Sequence, residues 1–475
     1  MWTSWVTSGS PLAIPPRGLA RGRKPGLRLR SSCSWTTGPR TPRDSCRPAA
    51  RASTGSRSKS PDCAPPGSRY DGRVGDPLPE PVTVRLKPGR EKPVRRGHPW
   101  IFSGAVDSIQ GRAAPGSVAE VHAHDGAWLA RGLLNPGAML QVRIYTRDAS
   151  QAIDADFFRA RLDAALAMRE RLFGAADDRT NAWRMVFSES DGLSGLIVDR
   201  YAEVLSVQVG AAALAPHLPP LLEYLAGRTG LALHVRIEPD AVAREHLDLG
   251  GLVSPRPPAA ERVVIRENGL AFAVDVAGGQ KTGFFLDQRE NRLRVAAYAR
   301  GRRVLSAYCY TGAFEVYAAA AGASAIVGLD RSAPALELAR EQHRLNGTTV
   351  PVEYREADVP EALRRYRDAG ERFDLIILDP PRFVASQAQL EKGLRAYKDI
   401  NLLALKLLSP GGVLATFSCS GLVSMEAFRT MLGWAEADSG RRVRINERLS
   451  QPADHPGLTH FAESEYLKGF ICYAE

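Results

Sequence analysis

Cysteine is scarce in this sequence, and what there is argues against metal or disulfide chemistry. Cys33, Cys46, Cys63, Cys309, Cys419 and Cys472 form no CxxC pair and no Cys/His cluster with zinc-ligand spacing. That pattern fits a reduced, cytoplasmic protein without a structural metal. His122 and His124 share a strand face, but no further ligand accompanies them, so no metal is expected there either. Long apolar runs are also missing: none approaches the roughly 20 residues that a helix needs to span a bilayer, so no membrane-spanning helix is expected. No internal repeat is present.

A charge imbalance is missing from most of the chain as well. The net charge is +11, yet residues 1–80 hold 14 Lys/Arg against 5 Asp/Glu and so carry +9 of it. The remainder is nearly neutral, and bulk charge therefore says little about what the folded part binds. The basic leader is Arg- and Ser-rich and too full of Pro and Gly for a long amphipathic helix. It reads as a disordered tail, a mis-called start or a targeting segment.

With 475 residues the chain has room for about three domains. Regular pattern begins at PVTVRLKPGREKPVRRGHPWIFSGAV and continues in short strand-like runs, SVAEVHAHDGAWLARG and MLQVRIYT, parted by Gly and Pro; residues 81–151 read as a small β-rich domain. DADFFRARLDAALAMRERLFG has helical spacing of its apolar residues, and SDGLSGLIVDRYAEVLSVQVG reads as a turn and a hairpin. These place a mixed α+β domain at 152–265. From 266 to 475 the rhythm becomes strand, helix, strand, helix, with strands at RRVLSAYCY, SAIVGLD, VPVEYREAD, FDLIILDPP and GVLATFSCS. Such alternation predicts a doubly wound, mostly parallel α/β sheet of Rossmann-like type. Ser332 is a candidate N-cap, and Gly347 a stop, for the helix between the second and third strands.

In open parallel sheets ligands gather at the carboxyl ends of the strands. The first strand ends in Cys309, Tyr310, Thr311 and Gly312, a loop without the GxGxxG fingerprint of dinucleotide enzymes, whose glycine would let a ligand approach the backbone. Asp330 ends the second strand, 18 residues after Gly312, where a carboxylate can take both ribose hydroxyls. Asp358 follows the third, in reach of an adenine amine. Together they fit a nucleoside cofactor without a phosphate tail, S-adenosylmethionine. Cys309, inside the loop, reads as packing. Asp287 and Arg289, in GGQKTGFFLDQRENR, are further cofactor candidates, and LDPPRF brings Asp379 and two rigid prolines to the same rim.

Cys419 lies where the fifth strand runs out, flanked by Ser418 and Ser420 and followed by Gly421. Free cysteine is usually buried and inert, but this position favours a nucleophile. C5 of a pyrimidine is too weak to take a sulfonium methyl directly, and a thiolate added at C6 activates it. Asp379 is placed to hydrogen-bond N3 of the base. An exocyclic amine would need no thiol, so an amino-methyltransferase with a structural Cys419, or a non-catalytic RNA-binding assembly factor, are the competing readings.

SGLIVDRY, QKTGFFLDQRENR, YTGAF, LDPPRF, YKDINLLALKLLSPGG, TFSCSG and YLKGF, in this order, resemble the bacterial large-subunit (23S) ribosomal RNA cytosine-5 methyltransferases of the methyltransferase I type, over about residues 82–475. The resemblance implies an N-terminal PUA domain, a central domain and a C-terminal Rossmann-like methyltransferase domain. It also implies Cys419 as nucleophile, Asp379 as base-edge partner, and Asp330 and Asp358 as cofactor carboxylates. Ser306 departs from the pattern, standing where many methyltransferases have an acidic residue or Asn, and Ala313 stands where a second Gly is expected. The base that removes the C5 proton is not identified. Ribosomal RNA is the implied partner. Arg85, Lys87, Arg90, Lys92, Arg95, Arg96 and His98 beside Trp100 form a candidate RNA-docking surface, which Lys392, Arg395, Tyr397 and Lys398 extend. Whether the protein dimerises is left open.

Overall fold

The structure, a computed structural model, describes residues 80–279 and 282–475, and the basic leader read at 1–80 lies outside them except for Glu80. Alternation shapes the first layer. In Val82–Leu86 the residues Val82, Val84 and Leu86 are buried while Thr83 and Arg85 are not, the period-2 pattern of a strand with one face on a core. That strand pairs antiparallel with Val106–Gln110 and parallel with Val118–His122. It belongs to a six-stranded sheet that also contains Trp100–Phe102, Trp128–Leu134 and Leu140–Thr146.

The helix Ala155–Phe173 follows, started by Asp154, whose side chain accepts the Phe157 N–H at 2.9 Å. It buries Phe157, Phe158, Leu162, Ala165, Leu166 and Arg169, one face of a 3.6-residue period, in a core shared with a four-stranded sheet. The expected hairpin is present as Leu196–Tyr201 and Val204–Val209, paired antiparallel. Ala182–Phe187 and Ala232–Ile237 flank it. A second hairpin, Arg262–Glu267 with Leu270–Asp275, turns at Asn268 and Gly269, both at positive φ (52° and 85°), as a tight two-residue turn requires. The boundary read at 265/266 is thereby corrected, since a cut there severs the first strand of this hairpin.

The C-terminal sheet has seven strands: β1 Arg303–Ala307, β2 Ala325–Asp330, β3 Val352–Glu356, β4 Phe373–Leu378, β5 Leu408–Ser418, β6 Val443–Ser450 and β7 Lys468–Ala474. Their order is β3-β2-β1-β4-β5-β7-β6. The first five run parallel; β7 lies antiparallel between β5 and β6. Near-continuous apolar strands such as FDLIIL are what a sheet covered on both faces needs. The helices are α1 Arg289–Ala296, α2 Ala313–Ala320, α3 Ala333–Leu345, α4 Val359–Asp368, α5 Leu390–Leu407 and α6 Met425–Ser439. Ser332 caps α3, as read, and Gly347 just beyond its end has φ 58°. Strands β6 and β7 escaped the sequence reading. The order reverses between β1 and β4, and that switch point opens the crevice where ligands collect.

Candidate active site

At the end of β1 the chain makes a contorted turn. Tyr308, Tyr310 and Gly312 all have positive φ (64°, 48° and 75°), a costly arrangement for two aromatic residues that the surroundings must hold in place. Asp330 does part of that holding: its carboxylate accepts the Tyr310 N–H and the Ser332 N–H, each at 2.9 Å. The Cys309 N–H is taken by the Leu329 carbonyl at 3.0 Å. The reading of Gly312 as a place for close ligand approach is corrected. A Cβ there would meet the Tyr354 hydroxyl at 2.5 Å and the Ala339 Cβ at 2.8 Å, so this glycine lets α2 pack on α3 and β3.

The crevice is a cleft of about 470 Å³ that includes Tyr310, Thr311, Asp330, Asp358, Asp379 and Cys419 among its lining residues. Its charge is one-sided. Asp287, Asp330, Asp358, Asp379 and Asp399 line it, while the lining cations Arg292 and Arg331 are tied to Glu267 and Asp358. Phosphates would be repelled here and a cation welcomed. Tyr308, Phe285 and Phe383 add apolar walls for a planar base. This donor set fits S-adenosylmethionine, a nucleoside carrying a sulfonium and no phosphate.

Glu315 on α2, fully buried, points toward Ser306, and burial pushes its carboxyl up to about 7. The Ser306 hydroxyl eases that burial without making a bond of good geometry to either carboxyl oxygen. Cys309, read as packing, sits against Leu336, Ala339 and Tyr354 with its thiol pushed up by burial, although one edge lines the cleft.

Opposite the loop stands the DPP rim. Asp379 follows β4, and its carboxylate accepts the Gln288 side-chain N–H at 3.0 Å. Cys419 is the first residue past β5, half-buried, with Sγ 3.9 Å from the Pro380 carbonyl. Its neighbours anchor it: Ser418 Oγ and Ser420 Oγ each lie 3.0 Å from the Tyr397 hydroxyl, deep under α5. Ser420 Oγ also accepts the Val384 N–H at 3.2 Å. With both serines turned into the core, Cys419 faces the cleft. Tyr397, read as an RNA contact, is a buried anchor instead.

Other candidates fall elsewhere. Asp287 is buried on the cleft wall, and its carboxylate accepts the Tyr466 hydroxyl at 2.5 Å. Arg289 is not on the cleft: its guanidinium pairs with fully buried Asp454 at 2.9 Å and lies over the Phe173 ring. A buried guanidinium needs a carboxylate, and Asp454 supplies it, which corrects Arg289 from cofactor ligand to structural seam. Asp358 lines the rim, yet it also caps α4 through the Glu361 N–H at 3.1 Å and pairs with Arg331. Burial of the Lys468 side chain, missed in the sequence reading, pushes its ammonium down to about 8.

On the first domain, Lys87, Arg90, Lys92, Arg95 and Arg96 are exposed around the short helix Glu91–Arg95, and Arg85 donates to the His124 carbonyl at 3.1 Å. Trp100 is not offered to a ligand: its indole N–H donates to Glu189 at 2.8 Å and its ring packs edge-on against Phe461. Of the second basic group, Arg395 pairs with Glu391 and Lys398 with Asp438, leaving Lys392 exposed. Among the described residues, no cluster of three or more His, Cys, Asp or Glu is placed to hold a metal ion, and no helix is long and apolar enough to cross a membrane.

Residues 227–467 match the family model of S-adenosylmethionine-dependent methyltransferases, and residues 84–147 match that of PUA-like domains. Ribosomal RNA large subunit methyltransferase I of Shewanella denitrificans is 44% identical over 394 residues, 82% of this chain and 98% of that protein. Its counterpart in Shewanella amazonensis is 45% identical over 393 residues, again 82% and 98%. A solved structure described as a SAM-dependent methyltransferase of Streptococcus mutans superposes with a TM-score of 0.70 at 20% identity, covering 82% of this chain and 99% of that one. A methyltransferase solved with SAH gives 0.70 at 19%, covering 83% and 100%. At those identities the structural likeness speaks for the fold.

Proposed function

The chain belongs to the ribosomal RNA large subunit methyltransferase I family, and on that premise we propose that it forms 5-methylcytidine in large-subunit ribosomal RNA, in the cytoplasm, through a transient Cys419–C6 adduct. One observation carries the reading: a half-buried thiol at the carboxyl edge of β5, held toward the cleft by two anchored serines and facing the Pro380 carbonyl. Bound S-adenosylmethionine supplies an electrophilic methyl. The chain's own residues prepare the acceptor. The Cys419 thiolate adds to C6, an S–C6 bond forms, and the C5–C6 π pair becomes available at C5. Asp379 holds the N3 edge as charge develops there. Once C5 carries the methyl, its proton goes to a base, the C5–C6 double bond reforms and the thiolate leaves. On the cofactor side, Asp330 with Tyr310 and Thr311 of the turn hold the nucleoside, with Asp287 and Asp358 on the flanking walls.

The target cytosine is flipped out of any stack to reach this cleft. Arg85, Lys87, Arg90, Arg95 and Arg96 on the first domain, with Lys392, Arg395 and Lys398 beside the cleft, take the RNA backbone. The test is to incubate the full chain, wild type and Cys419→Ala, with labelled S-adenosylmethionine and unmodified large-subunit ribosomal RNA, then digest and identify the labelled nucleoside. Label in 5-methylcytidine that vanishes in the variant is the expected result. Label in a methylated purine, or activity that survives the substitution, moves the enzyme to the amino-methyl class.

A further inference from the structure

A cleft lined by five aspartates is a poor place to form an anion. Asp379 and Asp399 border the same cavity as Cys419, and their field opposes loss of the thiol proton. The cations in the lining do not offset them, because Arg292 is clamped by Glu267 and Arg331 by Asp358. A nucleophile that works as a thiolate needs a positive charge from another direction.

One is supplied from behind the turn. Lys468 opens β7, opposite Ser418 in the β5–β7 register. Only 5% of it is exposed, and its Nζ donates to the carbonyl of Ser420, the residue after Cys419, at 2.9 Å. The chain thus spends a buried ammonium on a backbone carbonyl beside the thiol. We propose that the Lys468 ammonium is the cation that holds Cys419 as a thiolate, which makes Lys468 a positioning residue for the nucleophile. The inference rests on Cys419 being that nucleophile.

Electrostatics agrees with the geometry. A thiolate on Cys419 strengthens the hold of Lys468 on its proton, as does Glu465, against the larger effect of burial; the influence is reciprocal, so the ammonium eases ionisation of the thiol. Tyr397, whose hydroxyl meets both flanking serines, is pushed up by burial and remains neutral. Across the cleft, Asp379 and Asp399 act against the thiolate. The thiol proton leaves to water through the cleft mouth, and no other bond changes.

The experiment is the pH profile of Cys419 alkylation by iodoacetamide, in which the thiolate displaces iodide, followed by peptide mass spectrometry on the full chain. Wild-type Cys419 is expected to react with an apparent pKa below the roughly 8.5 of a free thiol. Lys468→Met and Lys468→Gln raise it by at least about one unit, so alkylation at pH 7 slows about tenfold or more, while Lys468→Arg keeps the low value. Gln retains a donor for the Ser420 carbonyl and so separates charge from hydrogen bond. A wild-type profile in either folded variant overturns the proposal, and so does a wild-type Cys419 that titrates like a free thiol, which needs no variant at all. The assay uses neither RNA nor cofactor. An unexpected labelled nucleoside would remove the catalytic role on which this inference rests. A wild-type alkylation profile in the Lys468 variants would instead overturn the Lys468–Cys419 coupling and leave the 5-methylcytidine reading standing.

Discussion

Two buried cations of this molecule, about as hidden as each other, have opposite surroundings. Arg289 lies on the seam between the middle sheet and the C-terminal sheet, bonded twice by Asp454, which also accepts the Arg184 N–H at 2.9 Å and faces His455. Lys468 makes its hydrogen bond to a carbonyl. The guanidinium is held charged by its partner, and although burial by itself would push the Asp454 carboxyl up, His455 and Arg289 hold it well below the usual carboxylate range. The ammonium is left with a depressed proton affinity. A fully partnered buried charge belongs to the fold. One that is short of a carboxylate and placed beside a thiol is a cost that stability alone does not explain.

The sharpest way to break this contrast is to remove the partner of the paired cation. Asp454→Ala leaves Arg289 buried without its carboxylate and is expected to cost about 3–5 kcal/mol, read as a large drop in the denaturant midpoint. The double change Arg289→Met with Asp454→Leu, which removes both charges, is expected to recover most of that loss.

Glu315 offers a third buried charge on which to sharpen the comparison. Its folded carboxyl titrates at about 7 against 4.5 for the ordinary group. The fold therefore favours the neutral form, and that contribution, present below about pH 4.5, disappears as the pH rises through 7. Glu315→Gln should thus raise the melting temperature at pH 8, by up to about 3 kcal/mol in stability, and change it little at pH 4.5. An equal effect at both pH values would mean that Glu315 is not buried as an acid.

Lys468→Met is expected to leave stability within about 1 kcal/mol of wild type or to raise it, since it removes a poorly compensated charge. Calorimetry on the variant checks this; a loss as large as that of Asp454→Ala would make Lys468 a structural residue like Arg289. Smallest of all, Lys392→Gln on the exposed surface near the cleft should reduce RNA affinity only a few-fold, an effect that fades as salt is raised.

The same contrast separates what the sequence made legible from what it hid. Much of the cleft is built from residues at the ends of consecutive parallel strands, each beside its own motif. Tyr310, Asp330, Asp358, Asp379 and Cys419 were therefore readable one strand at a time, and the structure brings them to one cavity. The seam and the support of Cys419 depend on residues far apart in the chain. Arg289 meets Asp454 across 165 positions and Lys468 meets Ser420 across 48. Strand β6, VRINERLS, alternates with charged residues at the sheet edge, and β7 slots in antiparallel, which breaks the strand–helix rhythm that revealed the others. Arg289 looked like a ligand because a charged residue near a presumed pocket says nothing of which way it turns. Gly312 looked like a ligand-approach glycine because its packing against Tyr354 and Ala339 lies in later strands and helices.

Covalent attack by Cys419 is the centre of this account, and it can be caught directly. RNA carrying 5-fluorocytidine at the target position has no C5 proton to lose, so the adduct cannot be released once the methyl has arrived. Incubated with the full chain and S-adenosylmethionine, it should give a protein–RNA complex that survives denaturation and maps by mass spectrometry to Cys419, and that is absent with Cys419→Ser. RNA that is methylated while no covalent complex forms, or a complex that maps to another residue, would contradict it.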